Sequence, residues 1–445
     1  VSQIPALLVS TATGIIVTRN SSEANMGYDL SKQLTSQPLV MLLAGFALFI
    51  INFIPGLPHI PILIISAALI YFGFIMLKTP KKQADETSIS KTAATEASDK
   101  TQTVYSYLQV DPIELEFGYS VIPLADVNQG GDLLERVVAI RKQCAMDLGV
   151  VIPVIRLRDD LQLNPGEYSI KIKGIEAARG EIIADHYLAM NPSGETMDMP
   201  GIDTTEPTFG LPARWITPDN RDRAEIMGYT VVDPATVIAT HLAEVLKKHS
   251  YEFIGRQDLH TMLEHVRQSA PALVDEVTPK LLTLGEIQKV LMNLLKEGIP
   301  IRDMATILEV LGDYGALTRD TDLLTEYVRQ GLKRTISKKF VSSGRIHAIT
   351  VDPNTEDIIL KGIQQSQQGS YLAIPPEQAQ TLLGNLSREA MRVSAMGYEP
   401  VVVTSPVVRI HLKKLSEHIL PDLVVLSFQE IEQNVEIHGV GTVSI

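Results

Sequence analysis

At 445 residues, with 45% apolar and 5% aromatic side chains, the chain is long enough for several domains and apolar enough to join a globular part to a membrane part. A net charge of -13 argues against a general nucleic-acid surface, which needs clustered Lys and Arg, and points to proteins as partners. Cys144 is the only cysteine, which excludes an internal disulfide and a cysteine-built zinc site and suits a reducing cytoplasm.

Residues 1–18 are apolar but carry Ser2, Thr11, Thr13 and Gly14, a small-residue texture suited to close packing between membrane helices. Two uncharged apolar runs follow, Leu39 to Ile54 and Ile60 to Leu77. Each is a little short of the ~20 residues that span a hydrocarbon core, so the flanks must lie near the interfaces. Apolarity without a polar face is what lipid demands, and the pair is expected to form a helical hairpin. Arg19 and Lys32 before it, with Lys78, Lys81 and Lys82 after it, put both ends in the cytoplasm. Because Val1 is not a methionine and no signal-like n-region precedes the first apolar stretch, the sequence reads as a fragment.

From Lys78 to Thr103 the chain turns to Lys, Thr, Ser, Ala, Glu and Asp, too little apolar surface to offset ordering entropy, which predicts a flexible tether. Tyr105, Tyr107 and Leu108 then interrupt the polarity, either as the first edge of the next domain or as a docking segment. An α/β domain begins near Pro112. Val121-Ile122-Pro123-Leu124 is a strand signal, and Asp132 caps a helix with the stripe Leu133, Val137, Ile140, Cys144 and Leu148, which makes Cys144 a core thiol. Val150 to Leu157 reads as an apolar strand, Asn164-Pro165-Gly166 as a turn, and Tyr168 to Gly174 as an alternating strand.

The region from Asp185 to Val232 looks inserted, with a strand at His186 to Met190, a loop rich in Gly, Pro, Asp and Thr, then Arg214-Trp215-Ile216, a short helix, and a strand at Tyr229 to Val232. Asp233-Pro234 supplies an N-cap acceptor and a first-turn proline. Ile238, Leu242, Val245, Leu246, His249 and Phe253 then lay one apolar stripe along a helix and leave Thr240 facing outward. Beyond Gly255, helices at Arg256 to Ser269, Thr283 to Glu297, Ile301 to Gly312 and Asp322 to Ser337 form a bundle with breaks at Pro271, Gly298-Ile299-Pro300 and Gly315. From Arg345, strands at Ile346 to Val351, Pro400 to Thr404 and Leu423 to Ser427 alternate with helices at Pro376 to Met396 and Pro406 to Leu420, an α/β pattern that implies parallel pairing.

Reaction chemistry is absent from this pattern. No Gly-rich phosphate loop ending in Lys-Ser/Thr occurs. His260 and His265 are five apart, where two ligands on one helix face need a separation near four, so they read as solvated residues beside Glu264. Arg158-Asp159-Asp160 reads as a charged turn after a strand. No catalytic residue, metal or cofactor is expected.

The segment Gly228 to Gln257, GYTVVDPATVIATHLAEVLKKHSYEFIGRQ, resembles the FHIPEP family, the FlhA-type export gates of bacterial flagellar type III secretion. The likeness extends through Ile4 to Ala12, Leu115 to Tyr119, Gly194 to Leu211, Leu284 to Thr306, Thr325 to Arg329 and Leu420 to Ser427, in order and at matching spacing. It implies a multidomain α/β cytoplasmic region preceded by transmembrane helices. The divisions are the tail of a membrane domain at 1–80, a linker at 81–111, a first domain at 112–184 plus 234–254, an inserted second domain at 185–233, a helical third at 255–335 and a last α/β domain at 336–445.

The resemblance further implies a protein of the bacterial inner membrane whose cytoplasmic platform docks chaperone–substrate complexes for proton-motive-force-driven export. Its partners would be flagellar export chaperones with cargo, other export-apparatus subunits with the export ATPase complex, membrane lipid, and copies of itself in a ring, nine-membered in the family. Phe209 and Thr240, with Glu206 on the rim and Pro192 and Val232 nearby, match residues lining an apolar depression that receives the chaperones. Most relatives carry aspartate where Glu206 stands. Tyr105 and Tyr107 would dock the linker on a neighbouring subunit. Two alternatives stay open: the paralogous virulence-type export gate, and a membrane transporter or enzyme with a regulatory cytoplasmic domain.

Overall fold

The computed structural model describes residues 110–445 apart from 192–198, 342–343 and 367–368, together with Phe46, Phe49, Leu63, Ser66, Ala67 and Tyr71, which are helical. Two compact units are formed, Val1–Gln102 and Thr103–Ile445, and every sheet among the described residues belongs to the second. The hairpin at 39–77, apart from those six positions, and the linker up to residue 109 with Tyr105 and Tyr107 lie outside the described residues. Among the described residues no helix is long and apolar enough to cross a membrane.

Strict alternation makes β1 (Ile113–Phe117): Ile113, Leu115 and Phe117 are buried while Glu114 and Glu116 reach the other face. It runs parallel to β2 (Ile155–Asp159) and antiparallel to β3 (Glu167–Ile172), which pairs with β4 (Ile175–Glu181), giving the order β2-β1-β3-β4. Lys173 and Gly174, both at positive φ, form the two-residue turn between β3 and β4 where a longer strand is expected from the sequence.

Two local readings give way to proline. Val121 to Leu124 is helical, a turn at Tyr119–Val121 running into the helix Ile122–Ala125. Pro123 sits in its first turn, where a missing N–H costs nothing and where a strand interior would have lost a ladder bond. The run from Val150 becomes strand only at Ile155, past Pro153, with Val150 and Ile152 buried and Val151 and Val154 exposed. The helix Leu133–Leu148 forms as the stripe requires and buries Cys144, while the Asp132 carboxylate at its start pairs with Arg136 at 2.7 Å instead of capping an N–H.

The inserted segment closes a second sheet from β5 (Tyr187–Met190), β6 (Ile202–Thr205), β7 (Pro212–Ile216) and β8 (Thr230–Val232), antiparallel throughout in the order β6-β7-β5-β8. Only β6 falls where the sequence reads as loop; its IDTT has one large apolar residue, and Ile202 is itself exposed. The helix Pro234–Lys248 follows β8. The Asp233 carboxylate accepts the Thr236 N–H at 2.8 Å, and Ile238, Leu242, Val245 and Leu246 are buried along one side.

Helices Arg256–Ser269, Pro271–Glu276, Leu284–Lys296, Met304–Gly315, Thr321–Gly331 and Lys333–Phe340 make the bundle. A capping box opens the third of these, Glu286 accepting the Thr283 N–H at 2.7 Å and Thr283 Oγ1 accepting the Glu286 N–H at 3.3 Å. The last expected helix is broken at Leu332, and the expected break at Gly315 falls where the Met304–Gly315 helix ends, with residues 316–320 before Thr321 opens the next.

The C-terminal sheet, β9 (Arg345–Val351), β12 (Val401–Thr404), β13 (Val424–Ser427) and β14 (Glu436–Val443), has the order β13-β12-β9-β14 with every pair parallel, while β10 (Ile363–Ser366) and β11 (Gly369–Leu372) form a separate hairpin. Helices Pro353–Gly362, Pro376–Ala395 and Pro406–Ser416 supply the crossovers. One contiguous apolar core runs from Leu115 through Trp215, Leu242, Leu294 and Val328 to Leu426, so the first two sheets, the bundle and the last sheet share packing.

Candidate functional site

The β6–β7 connection is a six-residue loop, 206–211, closed by Glu206 N–H to Leu211 O at 2.9 Å and Gly210 N–H to Glu206 O at 3.0 Å. Gly210 takes a φ of 67°, the left-handed turn that a side chain would resist. The Glu206 side chain folds inward. One carboxylate oxygen accepts the Thr208 N–H at 2.9 Å and the other the Phe209 N–H at 2.7 Å, and the residue is only 4% exposed. Bonds from an acidic side chain to the N–H groups two and three residues on are a short-range way of fixing a turn. Their result is a hook whose tip, Phe209, stands 64% exposed. Glu206 therefore supports the hook from inside and is not a rim charge.

Phe209 and Thr208 line a cleft of about 980 Å³. On the same side are Ala177 and Ala178 of β4 and His241, Glu244, Val245, Lys247 and Lys248 of the Pro234–Lys248 helix. Across it stand Glu297 at the end of the Leu284–Lys296 helix, Arg329 of the bundle, and Arg409, Lys413 and the β13 region of the last α/β layer. The expected apolar hollow is thus mixed in character: Glu244, Lys247 and Lys248 stand on the Phe209 side, and Ile299, Phe340 and Leu426 line the cleft beside the charges of the far wall.

That wall is a buried ion network tying the bundle to the C-terminal sheet. Arg329 bonds Glu297 at 2.9 Å and Glu430 at 2.5 Å; Arg409 bonds Glu297 at 2.7 Å and, through its Nε, Glu326 at 2.7 Å, and is clamped a second time by the other Glu326 oxygen. Both guanidiniums are 1% exposed. Burial pushes the Glu297 carboxyl up, but Arg329 and Arg409 together outweigh it and hold it at about 2. At Glu326 burial wins over Arg409, and the carboxyl titrates above its ordinary value. Three carboxylates meet two guanidiniums in the network, with Lys413 also acting on Glu297, and the Glu430 charge adds to the burial that raises Glu326. Arg329 and Glu326 sit three apart in a helix that also buries Leu324 and Val328; charges inside an apolar stripe are the sequence signal that could have revealed them.

Of the residues singled out from sequence, Phe209 stands at the cleft. Thr240 is half-buried on the Pro234–Lys248 helix; its neighbour His241 and Glu244 one turn on line the cleft, and Thr240 is not among the lining residues. Val232 ends β8 opposite Leu188 and packs partly buried against the core, a support beneath the site. Pro192, Tyr105 and Tyr107 lie outside the described residues. His241, unread from sequence, is 5% exposed, and its Nδ1 lies 2.8 Å from the hydroxyl of the fully buried Tyr168. Away from the cleft, His260, Glu264 and His265 are solvent-exposed, and Arg158 pairs with Asp111 at 2.8 Å. Among the described residues no group of three or more His, Cys, Asp or Glu could hold a metal ion.

Known proteins are similar to this chain in sequence and in fold. The flagellar biosynthesis protein FlhA of Bacillus subtilis is 46% identical over the whole of this chain, which spans 66% of that relative's length. The CdsV protein of Chlamydia pneumoniae, solved alone and in complex with CdsO, is 33% and 31% identical with TM-scores of 0.68 and 0.69, over 76% of this chain and 98% of that one. Nonameric EPEC SctV-C has the same fold, with a TM-score of 0.62 at 23% identity over 75% of this chain and 98% of that one. The FHIPEP family matches residues 1–436, and the chain belongs to that family.

Proposed function

We propose that this chain is part of an export-gate subunit of the flagellar type III protein export apparatus, anchored in the inner membrane through the apolar segments before residue 80. Its cytoplasmic platform, organised in the four divisions expected from the sequence, receives chaperone–substrate complexes before proton-motive-force-driven export. The observation that carries the reading is the exposed Phe209 ring, held by buried Glu206 at the edge of a cleft in a chain of this family. An exposed aromatic on a hook at the edge of a cleft with mixed apolar and charged lining is suited to anchoring an amphipathic element of a partner. Val232 supports the site from the core, Thr240 precedes the cleft-lining His241 on its helix, and Pro192 precedes β6 in the chain.

A flagellar system is favoured over the virulence branch by 46% identity to a flagellar FlhA against 33% to CdsV. The complex of CdsV with CdsO supports a further docking surface for another protein of the apparatus, and nonameric SctV-C is a precedent in the same fold for a ring. The linker, with Tyr105 and Tyr107, would then join neighbouring subunits of that ring. Titration of the full chain with the chaperone–cargo complex of its own flagellar system tests the reading: Phe209→Ala is expected to weaken docking by more than about 1 kcal/mol, roughly fivefold. Unchanged affinity with the fold intact would remove Phe209 from the site.

A further inference from the structure

We propose that His241 is a recognition residue of this docking site, its Nε2–H donating to a neutral carbonyl oxygen carried by the docked element. This rests on the docking reading above and says what polar feature the partner must bring.

Three observations carry it. Thr208, Phe209 and His241 line the same cleft, so a partner that covers the Phe209 ring also meets the imidazole. Among the described residues only Nδ1 of the His241 ring has a hydrogen-bond partner, which leaves Nε2 to a docked group. The tautomer of His241 is fixed from behind. Tyr168 is 0% exposed, its ring meets the imidazole edge-on at 5.7 Å, and its hydroxyl lies 2.8 Å from Nδ1. The tyrosine cannot back away, because Gly180 is packed so tightly on the phenol that a Cβ there would lie 2.4 Å from its oxygen. Burial, reinforced by the Glu206 charge, pushes the phenol's pKa up, so it keeps its proton, and with Nδ1 its only hydrogen-bond partner among the described residues the buried hydroxyl meets its need by donating there. The imidazole proton then sits on Nε2, the ring atom away from Tyr168.

The chemistry of the acceptor follows from charge. Burial lowers the His241 pKa against the opposing pull of Glu206, so the ring meets its partner neutral. Glu206 acts electrostatically on both His241 and Tyr168, and Glu244 stands one turn along the same helix. A carboxylate would be repelled there. A neutral carbonyl is not, and the last turn of a docked helix offers carbonyls without intrahelical partners.

The test uses the full chain and its own flagellar chaperone–cargo complex, with a melting curve for each variant. His241→Phe, which keeps the ring and removes the donor, is expected to weaken docking about tenfold, a loss of the size of a hydrogen bond left unmade. His241→Gln, whose amide N–H reaches the Nε2 position, is expected to stay within about threefold of the parent, and Tyr168→Phe, which frees the tautomer, to weaken docking at least about threefold. Parent-like affinity in both His241→Phe and Tyr168→Phe overturns the proposal. If His241→Phe does not fold, Tyr168→Phe decides alone, parent-like affinity there being the contrary result. Phe209→Ala run beside them separates the two claims: if it binds normally the docking site itself is wrong, and if it alone loses binding only the role of His241 is wrong.

Discussion

Arg409→Met is expected to lower the unfolding free energy by about 3–5 kcal/mol, the usual effect of removing one partner from a buried ion network. Methionine fills much of the volume, so the loss is electrostatic: Glu297 and Glu326 would keep their burial and lose bonds at 2.7 Å to Nη1 and Nε. Trp215, the only tryptophan, is buried in the core that also contains Leu294 and Val328, and its fluorescence during denaturant unfolding reports the change. A shift under about 1 kcal/mol would mean the charges are solvated and the seam is held by apolar packing alone.

The same seam sets a pH dependence. Glu297 has its folded pKa depressed from 4.5 to about 2, so its contribution to stability is fully present above pH 4.5 and is lost as pH falls toward 2. Glu326 works the other way: its raised folded pKa means that ionising it costs stability as pH rises. The deficit of Glu297→Gln relative to the parent is therefore expected to be largest at neutral pH and to shrink on acidification. A deficit that grew toward low pH would contradict the assignment.

Glu206→Ala is expected to weaken docking as much as Phe209→Ala, although the carboxylate faces inward. Without it the Thr208 and Phe209 N–H groups lose their acceptor, a cost of about 1–3 kcal/mol that the loop escapes by leaving its turn and releasing the ring. Glu206→Asp, which can still reach the N–H two residues on, is expected to dock. Chaperone titration at two salt concentrations distinguishes this from direct contact: a positioning residue leaves the salt dependence of the remaining affinity unchanged, and a contacting charge does not.

Much of the secondary structure could be read from the chain because period and punctuation agree. Asp233-Pro234 and the stripe from Ile238 to Leu246 mark one helix from cap to core, and the strands Ile346 to Val351, Pro400 to Thr404 and Leu423 to Ser427 are apolar enough to declare a parallel sheet. Reading failed where the signal is short or shared. Val121 to Leu124 is too brief for its period to tell strand from helix, β6 has a single large apolar residue, and β14 alternates through Gly439 and Gly441 around a bulge. Phe209 could be picked out only because the family resemblance raised it above an ordinary phenylalanine. His241 and Arg409 could not, since their role lies in partners 73 and 112 residues away, Tyr168 and Glu297.

Hydrogen exchange on the full chain, free and with its chaperone–cargo complex bound, tests the central claim most directly. Slowed exchange is predicted at the Thr208, Phe209 and Gly210 amides and in the Pro234–Lys248 helix from His241 onward, on the Phe209 side of the cleft. Protection confined to other surfaces, with the Thr208–Gly210 amides exchanging at the same rate free and bound, would contradict it.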